Sequence, residues 1–212
     1  MYLPAQFKED DVAALHRAID QIGFGTLVTQ SDAGLEANHV PMLIDGAAGP
    51  NGTLIGHVSR GNPVWRAARN DTETLAIFLG PNGYITPSWY PTKRETGKVV
   101  PTWNYASVHV YGRIEFFEDS ERLLGVVRRL TDRHEAGRAR PWAVSDAPAD
   151  YIAGMLKGIV GFALPIARLQ GKWKMSQNRV AADRAGVAAG LGNEGSEAAA
   201  QLAAAVAARG QD

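Results

Sequence analysis

The chain has 212 residues, the size of one large domain or of one domain with a short appendage. Its 22 Lys and Arg residues balance its 22 Asp and Glu residues, so no overall charge attracts it to nucleic acid or to an anionic membrane. It contains no cysteine, which excludes disulfides, thiolate catalysis, iron–sulfur clusters and cysteine-ligated zinc. The polar, acidic start and the lack of a long apolar run predict a soluble cytoplasmic protein without a membrane partner.

The first half of the chain predicts one helix followed by short strands. The apolar spacing of residues 10–22 has the period of a helix. Short apolar runs between turn residues then predict antiparallel strands over residues 26–29, 37–44, 53–58 and 74–79. A short helix is expected after Pro63, and the sheet is expected to resume over residues 84–89 after a loop at residues 80–83.

The second half predicts both strands and longer helices. Residues 108–117 alternate between apolar and polar types, which is the period of a half-buried strand. Helices are predicted over residues 121–134 and 148–157, and strands over residues 159–164 and 167–169 with Pro165 at an edge or a bend. The alanine-rich residues 194–209 predict a surface helix or a frayed tail. Together these elements predict a mainly β, α+β protein built on a closed or partly closed β-barrel.

The first candidate functional segment is residues 56–63, where a predicted strand runs into a helix start. His57, Ser59 and Arg60 bring a ring nitrogen, a hydroxyl and a guanidinium to a place that also has free backbone N–H groups. A phosphate monoester needs such donors. The alternative is that Arg60 is a solvated surface residue and Ser59 a helix cap.

The second candidate segment is residues 100–105, which follow the basic residue Lys93. Trp103 and Tyr105 bracket Asn104, and this pattern fits a planar heterocycle that stacks on the rings while the amide binds its edge. Taken one at a time, the aromatic residues are better explained as filling of the barrel interior.

The third candidate segment is residues 171–179. It contains Lys172, Trp173, Lys174, Ser176, Gln177, Asn178 and Arg179. Such a density of charge and directional hydrogen-bonding groups is typical of an anion site and is poor core material. The alternative is a basic surface loop, but a tryptophan among lysines favours a functional role.

Other chemistries have weaker support. The five His residues lack zinc-ligand spacing, so no metal site is predicted. The arginine-rich residues 122–140 offer charges for DNA phosphates, but interleaved acidic residues favour a solvated helix face.

In combination, these segments resemble the PaiB family of FMN-binding negative transcriptional regulators. The resemblance rests on residues 1–4 with Phe7, 26–29, 37–41, 56–63, 83–90, 99–105, 108–112, 159–162 and 171–179. It extends in order from residue 1 to about residue 191.

The resemblance implies a split β-barrel of the flavin-reductase and pyridoxamine-phosphate-oxidase type, with FMN near the interface of a homodimer. It implies an FMN-binding domain over residues 1–192, followed by an Ala-rich helix or tail over residues 193–212. By position, Ser59, Arg60 and Asn62 are similar to phosphate contacts, with His57 nearby. The remaining predicted cofactor-binding residues are Lys93, Trp103, Asn104, Lys172, Trp173, Lys174, Ser176, Gln177 and Asn178.

Three functions remain open at this point. The family resemblance implies a flavin-binding regulator, which contacts DNA directly or acts through a partner. The same fold also suits a small FMN-dependent oxidoreductase or a haem-handling protein with a His ligand, because a fold does not determine function. The neutral net charge argues against direct DNA binding.

Overall fold

The computed structural model describes residues 1–69 and 71–209. The strands are β1 (Lys8–Glu9), β2 (Phe24–Ser31), β3 (Gly34–Asp45), β4 (Thr53–Ser59), β5 (Thr74–Ile85), β6 (Thr102–Gly112), β7 (Glu115–Phe117) and β8 (Ile159–Lys174). The helices are α1 (Val12–Ile22), α2 (Val64–Ala67), α3 (Thr92–Thr96), α4 (Ser120–Glu135), α5 (Ala149–Leu156), α6 (Ala181–Gly192) and α7 (Glu197–Ala208). None of the helices in these two ranges has the length and apolarity needed to cross a membrane.

The strands pair in the order β1-β8-β4-β3-β2-β5-β6, and β7 pairs with β8. A further pairing joins β6 to β8, so the pairings of β8, β4, β3, β2, β5 and β6 form a closed ring. Closure leaves no unpaired edge among these six strands, which is what defines a barrel. The prediction of an α+β protein with a split β-barrel is confirmed.

The alternation of side chains along β4 decides which residues face the core. Leu54 and Val58 are buried, whereas Ile55 and His57 point to the opposite face and are half-buried. Successive side chains of a strand point to opposite faces, and this alternation places His57 on the face away from the barrel core. Ser59 ends the strand and is exposed.

Two predicted breaks in the sheet are wrong. Residues 80–83 do not form a loop, because β5 continues through them to Ile85. The turn-like composition has another cause at Gly83, where an added Cβ would lie 3.0 Å from Leu202 Cδ2, so a larger residue would require Leu202 to shift. Likewise β8 continues through Pro165, which pairs with Thr53 at the start of β4, where a missing N–H is tolerated.

Two other predicted strands have different limits. The strand predicted over residues 84–89 ends at Ile85, and Pro87–Trp89 forms a 3₁₀ turn whose N-cap Thr86 accepts a hydrogen bond from Ser88. The strand predicted over residues 108–117 begins earlier, and it is interrupted after Gly112. At Gly112 an added Cβ would lie 2.1 Å from the carbonyl oxygen of Pro165, so close backbone approach explains the glycine.

The chain divides into two compact units, and the long strands contribute to both. The second unit comprises His16–Phe78 and His109–Leu169. Its helix α4 buries Leu123, Val126 and Leu130 in an apolar cluster that also contains residues from β3, β7, α5 and β8. This packing follows from the apolar stripe that the sequence of α4 carries.

The first unit comprises Met1–Leu15, Leu79–Val108 and, within the described part of the chain, residues 170–209. Helices α6 and α7 pack together there, and Leu202 and Val206 are buried in one cluster with Ile85 and Met175. The alanine-rich segment is therefore a packed helix rather than a frayed tail. The domain boundary after residue 192 stays a prediction.

Candidate functional site

The predicted site residues fall into two groups, one in each unit. The second unit holds His57, Ser59, Arg60 and Asn62, and the first unit holds Lys93, Trp103, Asn104, Lys172, Trp173, Lys174, Ser176, Gln177 and Asn178. Each group has its own hydrogen-bond network.

Arg60 is already engaged by protein groups of its own unit. Its Nε donates to the carbonyl oxygen of Lys157 (2.6 Å), and its Nη2 donates to that of Ile159 (3.3 Å). Its Nη1 forms an ion pair with Glu118, and the guanidinium lies 5.7 Å from the centre of the Trp65 ring. These contacts give Arg60 a structural role at the end of β4, and its predicted phosphate contact stays a prediction.

Ser59 and Asn62 shape the turn that follows β4. Ser59 Oγ accepts a hydrogen bond from the backbone N–H of Gly61 (3.3 Å). Asn62 Oδ1 accepts from the backbone N–H of Val64 (2.9 Å), and its Nδ2 donates to Asn38 Oδ1 (2.6 Å). Both side chains therefore stabilise the entry into α2, as such residues commonly do before a helix.

His57 stands apart because its Nδ1 is buried and has no hydrogen-bond partner within residues 1–69 and 71–209. Burial lowers the pKa of His57, since the imidazolium loses more solvation than the neutral ring. The ring is consequently neutral near pH 7 and presents one unsatisfied nitrogen.

In the first unit, β6 and the end of β8 bring Asn104 and Ser176 together. Asn104 Nδ2 donates to Ser176 Oγ (2.8 Å), and both residues are buried. Asn104 Oδ1 is also buried, and it finds no partner in the described residues. Ser176 has a φ of 65°, a left-handed conformation that is costly for a residue other than glycine. The pair is thus held in a fixed arrangement with one acceptor unused.

Three cations lie at the end of β8 and just after it, in the same segment as Ser176. Lys174 Nζ donates to Thr102 Oγ1 and to the carbonyl oxygen of Trp103 (2.8 Å). Lys172 Nζ donates to the carbonyl oxygen of Tyr2 (2.9 Å), and Arg179 lies 4.8 Å from the centre of the Tyr90 ring.

Neutral groups solvate these cations, and no carboxylate does. Within the described ranges no carboxylate oxygen lies within 4.0 Å of Lys172, Lys174 or Arg179. Burial lowers the pKa of Lys174, and the charges of Lys172 and Arg179 lower it further. No described carboxylate therefore contacts the cluster directly, and the buried Asp183 is the carboxylate that acts on Tyr90 together with Arg179. The direct surroundings of the three cations favour binding of an anion.

The other residues of this group have different surroundings. Gln177 accepts from the backbone N–H of Met175 (2.6 Å) and donates to the carbonyl oxygen of Trp173 (2.6 Å), so it closes the turn after β8. Trp103 is 51% exposed, and its ring lies edge-on to Tyr84 at 6.4 Å.

Lys93 and Asn178 are exposed. Lys93 lies in α3 and Asn178 follows the end of β8. The described contacts do not join either side chain to the pair formed by Asn104 and Ser176.

The predicted cofactor-binding residues omit three residues of this arrangement, namely one cation and two partners of the lysines. Arg179 ends the third segment and contributes to the charge that predicted an anion site there, but it was not among the predicted cofactor-binding residues. Thr102 lies inside the second segment and offers the hydroxyl that Lys174 binds. Tyr2 was not detectable as a neighbour of Lys172, because only the fold brings the two together.

The arrangement in the first unit suits a ligand that combines an anionic group with a flat polar ring. The cations supply the charge, Asn104 supplies the unused acceptor, and the exposed ring of Trp103 offers an aromatic face. No group of three His, Asp or Glu residues in the described part of the chain is arranged to hold a metal ion.

Comparisons with known proteins identify one family. The family model for a putative FMN-binding domain matches residues 1–168. The chain is 34% identical over 203 residues to the protease synthase and sporulation protein PAI 2 of Bacillus subtilis, covering 96% of this chain and 95% of that protein. It is 35% identical over 246 residues to an uncharacterized protein of Emericella nidulans, covering 100% of this chain and 98% of that protein.

Solved structures share the fold at low sequence identity. The flavocytochrome Anf3 of Azotobacter vinelandii superposes with a TM-score of 0.57 at 14% identity, covering 79% of this chain and 69% of that one. The FAD and heme binding protein of Mycobacterium smegmatis superposes with a TM-score of 0.56 at 19% identity, covering 79% and 73% of the two chains.

Proposed function

This chain belongs to the family of putative FMN-binding domains, and we propose that it is a PaiB-like regulator whose activity depends on flavin occupancy. FMN is the cofactor of that family, and the residues of the first unit fit it. FMN joins a phosphate, which needs cations, to a flat ring system with polar edges. The cluster of Lys172, Lys174 and Arg179, which no described carboxylate contacts within 4.0 Å, is the observation that carries the proposal.

Within the first unit, the contacts of the cations and of Asn104 indicate which part of the flavin each is proposed to bind. The cations attract an anionic part of the flavin, and Lys174 is already oriented by Thr102 and the Trp103 carbonyl. The buried, unused Oδ1 of Asn104 is proposed to accept a hydrogen bond from the flavin ring. When bound, FMN supplies redox chemistry that the side chains themselves do not have.

We propose that the protein regulates transcription by binding a protein partner rather than by binding DNA directly. The arginines of the helix α4 region are largely paired with acids: Arg122 with Glu115, Arg129 with Asp45, Arg133 with Asp20 and Arg138 with Glu135. Pairing reduces the local positive potential that phosphate binding requires. The zero net charge of the chain supports the same proposal.

A homodimer is proposed through exposed aromatic and aliphatic residues of the first unit. Tyr84 and Trp103 are both about half exposed and contact each other, and Leu79 and Val100 are exposed as well. Large apolar side chains that are left in water commonly mark an interface. Sedimentation equilibrium tests this proposal, because Tyr84→Glu should lower the measured mass towards that of one chain.

The first experiment measures flavin binding by the purified protein. We expect flavin absorbance bands after incubation with FMN and removal of free ligand, and a higher melting temperature with FMN than without it, because a ligand that binds only the folded state stabilises it. Lys174→Met should weaken FMN affinity roughly 10- to 150-fold, which corresponds to the loss of one charge-assisted contact.

Lys98→Met provides the matched control, since Lys98 is an exposed lysine of the same unit. Equal FMN affinity in the two variants would remove Lys174 from the flavin site. The proposal as a whole would be refuted if the protein shows no flavin bands and if FMN does not change its melting temperature.

Two further measurements separate the functions that the fold permits. Bleaching of the bound flavin by a reduced nicotinamide, with multiple turnovers, would identify an oxidoreductase instead of a regulator. A Soret band after incubation with haem would identify a haem-handling protein. The proposal of a regulator predicts neither result.

A further inference from the structure

A cavity of about 720 Å³ lies in the second unit. Apolar and aromatic side chains form part of its lining, among them Trp65, Phe116, Phe117 and Val160. Its volume falls within the range of about 300–1,000 Å³ that is usual for small-molecule sites. Neither the family resemblance nor the flavin contacts proposed above assign a role to this cavity.

The lining contains two carboxylates and two guanidinium groups, but the carboxylates are paired with arginines from outside the lining. Glu115 is ion-paired with Arg122 (2.9 Å) and Glu118 with Arg60, so both lining carboxylates are neutralised by arginines that are not themselves lining residues. The two remaining charged residues of the lining are Arg66 and Arg113.

Arg66 and Arg113 have no such partner. Within the described ranges, neither has a carboxylate oxygen within 4.0 Å. The pKa of Asp71 is lowered chiefly by its hydrogen bond with Arg69 (2.9 Å), and the charge of Arg113 contributes only a minor part. The cavity consequently keeps two guanidinium groups for an outside anion.

The aromatic residues restrict the shape of that anion. Arg66 lies 4.2 Å from the centre of the Trp65 ring, so a guanidinium and an indole are stacked at the cavity wall. Phe116 is held edge-on to Phe162 at 6.4 Å, which fixes its ring orientation. A flat aromatic ligand can pack against such rings while its charged end binds a guanidinium in a bidentate manner.

We propose that this cavity is a second ligand site, which binds a planar aromatic carboxylate through Arg66 and Arg113. A carboxylate can bind a guanidinium through two hydrogen bonds, and the aromatic and aliphatic walls suit a flat ring attached to it. The site goes beyond the proposed flavin site, because none of its lining residues is among the predicted flavin contacts.

The test is a titration with 2-naphthoate that is followed by the NMR signals of the indole N–H groups. The chain has five Trp residues, and Trp65→Phe identifies the signal of Trp65. With FMN bound, 2-naphthoate should shift the Trp65 signal saturably and leave that of Trp103 unchanged. Arg113→Gln and Arg66→Gln should each weaken binding at least about tenfold, and the neutral 2-naphthamide should bind at least about tenfold more weakly.

Arg128→Gln is the matched control, since Arg128 is exposed on α4 and does not line the cavity. The proposal is overturned if 2-naphthoate gives no saturable shift, if the amide binds equally well, or if both arginine variants behave like the control. Release of FMN by 2-naphthoate would also overturn it, because the cavity would then belong to the flavin site. The titration is repeated on protein without added FMN, so failure of flavin binding does not affect the result.

Discussion

The packing of helix α7 predicts a large loss of stability for Leu202→Ala. Leu202 is 0% exposed and belongs to the cluster that contains Val206, Ile85 and Met175. Removing a buried leucine side chain costs about 2–5 kcal/mol, and the cost rises when neighbours cannot fill the cavity. Because the neighbours along α7 are alanines, we expect about 3–5 kcal/mol, or a melting temperature lower by roughly 6–20 °C.

A double-mutant cycle makes this prediction specific to one contact. An alanine Cβ at Gly83 would meet Leu202 Cδ2 at 3.0 Å, so Gly83→Ala should destabilise the protein that retains Leu202. In the Leu202→Ala background the same methyl group enters the vacated space, and its cost should fall by about 1 kcal/mol or more.

The assay is urea denaturation of all four proteins, with the exposed Gln201→Ala as the control for changes in α7. We expect the control to lie within about 0.5 kcal/mol of the unmodified protein. If Leu202→Ala matches the control, or if the two changes are additive, α7 does not pack on β5 as described and the reasoning is refuted.

Three further predictions concern the candidate sites. Burial lowers the pKa of His57 and of His109, so the unfolded chain takes up these protons first and the free energy of unfolding should fall as the pH drops below about 6.5. Replacing either residue by Gln should reduce that loss in urea titrations at pH about 7.5 and about 5.5, and an unchanged loss would contradict the assignment. Because Ser176 has a φ of 65°, Ser176→Gly should be more stable than Ser176→Ala by about 1 kcal/mol in urea denaturation, although both lose the same hydroxyl. Arg60→Ala leaves Glu118 unpaired and two carbonyl groups without a donor, so the flavin-free protein should lose about 1–3 kcal/mol, measured by thermal melting. Unchanged melting together with weaker FMN binding would instead support a phosphate contact.

Local sequence patterns predicted the type of most elements because hydrophobic periodicity is a local signal. The helix over residues 10–22 and the strand over residues 53–58 agree with α1 and β4 within two residues. The two wrongly predicted breaks in the sheet arose where glycine or proline was interpreted as a turn or a bend. At Gly83 the residue is small because Leu202 approaches from a distant part of the sequence, and no local pattern contains that information.

The candidate site was predictable in composition but not in geometry. The third segment identified Lys174 and Ser176 as unusual, and the fold places Ser176 against Asn104 from the second segment. Sequence could not show that Arg60 is engaged by backbone carbonyl groups of Lys157 and Ile159, because those partners lie about a hundred residues away. The assignment of all these residues to FMN stays a prediction, whereas the family itself is established.

The ion pair between Glu9 and Arg209 joins two residues that are made at very different times during translation. The two residues are 200 positions apart, and both belong to the first unit. A ribosome that adds about 5–20 residues per second exposes Glu9 roughly 10–40 s before Arg209 is made. The second unit is fully synthesised at Leu169, whereas the segment around β1 must wait for β8, α6 and α7 to emerge. Lys172, Lys174 and Arg179 are therefore made only after the whole second unit has been synthesised.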